Sequence, residues 1–178
     1  MKSGTKVLTA FLLGAATVPL LLVLAAWLGL LAVSATDRPP GWEEELAELA
    51  LEKSLAKSAE GLTVPLGPDD QTLLAGMKLY RNNCAGCHGG SQGPSPWGSK
   101  NYYPRAPQFS NRAPDLTVPE MYLVIKHGIR YSGMGAWNGM MEDEDLWRIA
   151  LFLSRLGSLP PEVDSVWRNP PSAAGGSS

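Results

Sequence analysis

Cysteine and histidine are scarce in this chain: two of each among 178 residues. They are Cys84, Cys87, His88 and His127. A structural zinc site takes about four nitrogen or sulfur ligands. This chain has no others of those types to spare, and His88 directly follows Cys87, so the two cannot readily reach one tetrahedral ion. A thioredoxin-like dithiol belongs in a βαβ setting, and no such pattern surrounds the pair. A disulfide between Cys84 and Cys87 would close a tiny loop and add little stability. Charge is scarce too. The net value of −2 argues against nucleic-acid binding as a default.

No charged residue occurs from Val7 through Thr36. About 20 apolar residues cross a bilayer core, so this run is long enough to span with tilt. Pro19 sits inside it, and a membrane helix tolerates proline with a local kink. Lys2 and Lys6 precede the run, while Asp37, Arg38, Glu43, Glu44 and Glu45 follow it. The positive-inside rule then places the N-terminus in the cytoplasm and the remainder outside. Val33-Ser34-Ala35 would pass as a cleavage site, but signal-peptide cores run to about 7–15 residues, and this run is much longer. An uncleaved anchor over residues 1–36 is expected. The absence of cysteine near it excludes a lipid-modified terminus.

A chain of this length predicts one domain plus appendages. Asp-Arg-Pro-Pro-Gly at 37–41 breaks the first helix. A second helix is expected from Trp42 to about Glu60, with Leu46, Leu49, Ala50 and Ala56 at helical spacing. It reads as a surface or partner-docking element within a helical linker, 37–68. A third helix, from about Asp70 to Asn83, has Asp70 as candidate N-cap. Residues 89–118 are rich in glycine and proline and read as a loop wrapped around something else. Pro119–His127 reads as a short helix, 132–141 as a Gly/Met-rich loop, and Glu142–Leu156 as an amphipathic helix. Residues 169–178 are expected to be a disordered tail. The fold class expected is all-α.

Cys84-Ala85-Gly86-Cys87-His88 carries the chemistry. Cys-x-x-Cys-His is the attachment pattern for haem c. Each thiol adds to one vinyl group of the porphyrin, and the imidazole supplies one axial nitrogen to the iron. In bacteria this attachment occurs on the outer side of the membrane, which agrees with the predicted topology. A domain of about 100 residues is small for its own core, and a buried porphyrin would complete it. Candidates for the second axial ligand are Met134, Met140, Met141 and His127. Met134 leads because Gly133 and Gly135 allow close backbone approach.

With these pieces assembled, residues 70–160 resemble the small single-haem class I-like cytochromes c. The resemblance rests on Gly76, Tyr80 and Cys84 in the entry helix, on Ser132-Gly133-Met134-Gly135-Ala136-Trp137 in the ligand loop, and on Ile149 and Phe152 in the closing helix. It implies a cytochrome c domain over 69–168 in which the first and last helices cross at Gly76. It also implies Met134 as sixth ligand and a non-ligand role for His127. A proline carbonyl is expected to accept a hydrogen bond from the ligand imidazole, with Pro107 the best match and Pro104 the alternative. This chain departs from the frequent Met-Pro pair, since Gly135 follows Met134. Trp137, Tyr131 and Arg130 are candidates to contact the haem propionates or simply to pack. The acidic run 142–145 reads as helix N-terminal charge favoured by the dipole.

The function implied is electron transfer by a protein tethered to the inner membrane, with its haem domain in the periplasm. It would serve in a respiratory chain, between a quinol-oxidising complex and a terminal oxidase or reaction centre. The alternatives are a permanent haem subunit of a larger membrane oxidoreductase, and a five-coordinate haem enzyme or sensor. Residues 69–168 hold ten acidic and ten basic side chains, so steering by net charge is not built in.

Overall fold

A computed structural model describes residues 2–169, and these are helical throughout apart from loops and two isolated bridges. All but the first residue of the expected tail lie outside that range. The chain divides into two compact units, Met1–Ser34 and Ala35–Ser178. The first is a single helix, α1, Lys2–Trp27, with Pro19 inside it. Its apolar side chains are exposed along its length, and the stretch Gly4–Trp27 is long and apolar enough to cross a membrane.

The second unit contains α2 (Gly41–Ala59), α3 (Asp70–Asn83), α4 (Ala85–His88), α5 (Val118–His127), α6 (Asp143–Ser154) and α7 (Pro161–Arg168). The cap of α3 is Asp69, not Asp70: the Asp69 carboxylate accepts the Thr72 N–H at 2.8 Å. Either aspartate satisfies the sequence rule for a cap, and only the one in extended conformation does the work. That hydrogen bond holds the Asp69 carboxyl below its ordinary range. Helix α5 starts at a full capping box, in which Thr117 and Glu120 satisfy each other's backbone N–H groups. Thr117→Ala is expected to cost about 1 kcal/mol, read as a lower thermal midpoint with the secondary structure intact.

The core forms where α3 crosses α6. Leu73, Met77 and Tyr80 of α3 meet Leu146, Ile149 and Phe152 of α6, all buried. Gly76 makes the crossing possible. A Cβ there would lie 2.6 Å from the Arg148 carbonyl carbon and 3.0 Å from the Phe152 Cβ. The expected partners were Ile149 and Phe152; the nearest atoms belong to Arg148 and Phe152, because backbone rather than side chain closes the approach. Helix α5 packs on α6, with Tyr122 stacked on Trp147 at 3.9 Å.

Two features differ from the sequence reading. Helix α7 was not expected. It buries Val163 and Trp167 against α3, and Trp167 joins Tyr80 and Phe152 in a cluster of edge-to-face and tilted rings. Arg81 clamps it by donating to the carbonyls of Val166 and Trp167. Helix α2 packs on α5; its buried residue is Leu55, while Leu46 and Leu49 remain exposed. Its first turn also reaches the long loop, where the Tyr103 hydroxyl donates to Glu43 at 2.8 Å.

Candidate functional site

Helix α3 delivers the cysteines. The Cys84 N–H bonds the Tyr80 carbonyl at 2.8 Å and ends α3. The chain then makes one further turn, in which the N–H groups of Cys87 and His88 both return to the Cys84 carbonyl. Gly89, at φ 76°, terminates this turn. That conformation favours glycine, and the Gly89 carbonyl accepts the buried Tyr80 hydroxyl at 2.8 Å. Both thiols and the imidazole therefore project from a single turn whose two ends are tied to the core.

Cys84 and Cys87 are unpaired thiols, each partly buried. Burial pushes the Cys84 thiol up to about 12, with the neighbouring Cys87 adding to the shift. The group is thus a neutral thiol rather than a thiolate. His88 Nδ1 lies 2.8 Å from the Pro107 carbonyl. A carbonyl only accepts, so Nδ1 carries the proton and Nε2 keeps its lone pair. Burial lowers the His88 pKa, partly offset by the Pro107 bond, and this favours the neutral ring that a metal requires. The ring also stacks on Phe109 at 4.9 Å and 8°.

The loop over 89–109 is stitched to this turn by two side chains that sequence reasoning did not single out. The Gln108 amide donates to the Cys87 and Ala106 carbonyls and accepts the Ser95 N–H at 2.7 Å. The buried Ser95 hydroxyl donates to the Gly86 carbonyl and accepts the Gly98 N–H. No spacing rule marks such residues, because their partners are set by how the loop folds back.

Met134 is half-buried on a loop leaning against the end of α5. A Cβ at Gly128, itself at φ 67°, would lie 2.6 Å from the Met134 carbonyl oxygen, so only glycine admits this approach. The loop lacks proline after Met134 but closes on itself. Ile129 N–H donates to the Met134 carbonyl at 3.0 Å, and the Ser132 hydroxyl accepts the Met134 N–H at 3.1 Å. Tyr131, at the tip, takes a left-handed φ of 61° and is exposed. The other candidates lie elsewhere. Met140 is exposed, Met141 packs against the core, Met121 is inside it, and His127 is exposed on the last turn of α5. Trp137 is partly buried against the core, whereas Arg130 is exposed.

The donor set fits a c-type haem: two thiols and an imidazole with a free Nε2 on one turn. Sequence comparison agrees. Residues 71–153 match the family model of cytochrome c oxidase, cbb3-type, subunit III. This segment, just under half of the chain, is a cytochrome c domain, which implies haem-based electron transfer. No curated protein matches it. Among solved structures, a chain of the Kuenenia stuttgartiensis reducing HAO-like protein complex is similar, at 20% identity and a TM-score of 0.36. The match covers 53% of this chain and 49% of that one, so it spans about half the length of each.

Proposed function

We propose that this protein is a membrane-tethered electron carrier holding one haem c, bound covalently through Cys84 and Cys87 and ligated by His88 and Met134. The observation that carries the reading is the turn at 84–88, which holds two thiols and an imidazole whose Nδ1 is already engaged by the Pro107 carbonyl. When bound, the haem supplies a one-electron iron couple. The chain's own residues do the rest. Pro107 fixes the orientation of the His88 ring and raises its basicity. Tyr80 and Gly89 tie the turn to the core. Ser95 and Gln108 hold the covering loop in place. Met134 contributes a soft sulfur that favours reduced iron and raises the potential. With His88 and Met134 both holding the haem iron, no position would be left for a substrate, and the chain would act as a carrier rather than an enzyme.

Haem staining of a denaturing gel tests attachment. A stained band at the chain's mass is expected. Haem extracted into acidified organic solvent from the native protein would overturn the covalent reading.

The proposed location is the inner membrane, with residues 1–36 as anchor, 37–68 as helical linker and the 69–168 domain in the periplasm. There it serves a respiratory chain between a quinol-oxidising complex and a terminal oxidase. The tether raises the effective concentration near such partners. The native protein should therefore stay in the membrane pellet after osmotic shock and salt washing; release of a mature chain beginning near Thr36 would contradict this.

A second reading, a permanent subunit of an oxidoreductase complex, is favoured by the description of the matched family and by α2. That helix is docked on α5 rather than hanging as a free linker. Migration on a blue-native gel separates the two readings, since a subunit runs with its complex and a shuttle runs alone.

A further inference from the structure

Tyr102 touches both segments proposed to ligate the iron. Its hydroxyl lies 3.4 Å from the Cys87 sulfur. Its ring occupies the place where Gly133 would carry a side chain: a Cβ there would fall 3.2 Å from the Tyr102 Cγ and closer still to the ring edge. Gly133 has no positive φ, so glycine is required at this position for space and not for conformation. The residue that follows is Met134. The proposed ligand loop is thus wedged against a ring whose far end reaches the cysteine beside the other proposed ligand.

The polar end is also oriented. The Trp97 indole N–H donates to the Tyr102 hydroxyl at 3.0 Å, with the rings edge to face. An indole nitrogen only donates, so it takes up a lone pair of the hydroxyl oxygen and leaves the O–H proton free for a different acceptor. Once Cys87 is a thioether its sulfur carries no proton, and the Tyr102 hydroxyl is the only possible donor in that pair.

We infer that Tyr102 is a positioning residue that couples the Cys87 attachment point to the Met134 loop, donating a hydrogen bond to the Cys87 sulfur while its ring sets the seat of the loop. This rests on the proposed haem attachment and His88/Met134 ligation. An O–H dipole aimed at that sulfur would place partial positive charge beside the haem's edge and so favour its reduced state, second-shell hydrogen bonding being one of the protein's levers on such centres. Trp97 acts through Tyr102 by fixing the rotation of its hydroxyl.

The two ends are separable by mutation in the full-length holoprotein in detergent. Tyr102→Phe keeps the ring and removes the donor. It should lower the midpoint potential while preserving the far-red sulfur-to-iron band of the oxidised form and the refusal of carbon monoxide. Trp97→Phe should move the potential in the same direction by less. Tyr102→Ala removes the wedge as well and should weaken or abolish the far-red band and admit carbon monoxide. If that variant yields no holoprotein, Gly133→Ala, which displaces the ring from the loop side, should weaken the same band. A Tyr102→Phe protein with the parent's potential overturns the inference. So does a Tyr102→Ala or Gly133→Ala protein with an undiminished band. Loss of the band in Met134→Ala alongside unaltered Tyr102 variants would sink this inference alone. A parent protein without the band would remove the Met134 ligation, and this inference would fall with it.

Discussion

Met134→Ala is expected to convert a closed iron centre into an open one. Cys84, Cys87 and His88 remain to hold the cofactor, so haem content should be unchanged. The spectrum should shift from low-spin to high-spin or water-bound, and the far-red band should vanish. Carbon monoxide should bind the reduced form readily. The potential should fall, because a soft ligand that favours reduced iron is gone. Met140→Ala and Met141→Ala should leave all of these properties nearly unchanged, since Met140 points into solvent and Met141 packs against the core. A Met134 variant with the parent's spectrum and potential, beside a Met140 or Met141 variant that loses them, would move the ligand to that residue. If none of the three matters, His127 becomes the ligand, and α5 would have to turn its exposed last turn toward the iron.

Gly76→Val is expected to be the most damaging single change to the fold. The added side chain would meet the Arg148 backbone, with its carbonyl carbon 2.6 Å from the first new atom. Backbone cannot rotate away as a side chain can, so α3 and α6 must separate. Overpacking of this kind costs about 1–3 kcal/mol, and the two extra methyl groups of valine place this case at the upper end. For a domain of this size that is a fall of about 10–20 °C in thermal midpoint. The loss reaches the site as well, because the same crossing buries Tyr80, whose hydroxyl anchors Gly89. A Gly76→Val protein that melts with the parent would contradict the packing described above.

The three helices of the haem domain that carry most of the core were legible because each combines a periodic apolar face with a start or stop signal. Helix α5 runs from a Thr-x-x-Glu box to Gly128, and α6 opens on acidic residues ahead of an apolar stripe. Helix α7 escaped because it is eight residues long with only two buried positions, Val163 and Trp167. That is too short for a period to register, although Pro161 at its first turn and a lone tryptophan were its signals. In α2 the apolar residues with the clearest spacing are exposed and Leu55 is buried, so the apolar period does not mark the covered face. The proposed attachment turn could be read from five residues because thiol, thiol and imidazole must be local to one another. The shell around it was not. Gln108, Ser95 and Tyr102 reach the turn across a loop of irregular path, and their side chains are ordinary in isolation.

The most direct test of the central claim is an optical spectrum of the full-length protein in detergent, oxidised and reduced, before and after carbon monoxide. The account predicts a low-spin haem c with the far-red band when oxidised and a reduced spectrum that carbon monoxide leaves unchanged, as for an electron carrier with both axial positions filled. A high-spin spectrum, or a reduced form that binds carbon monoxide at once, would contradict it and point to a five-coordinate enzyme or sensor.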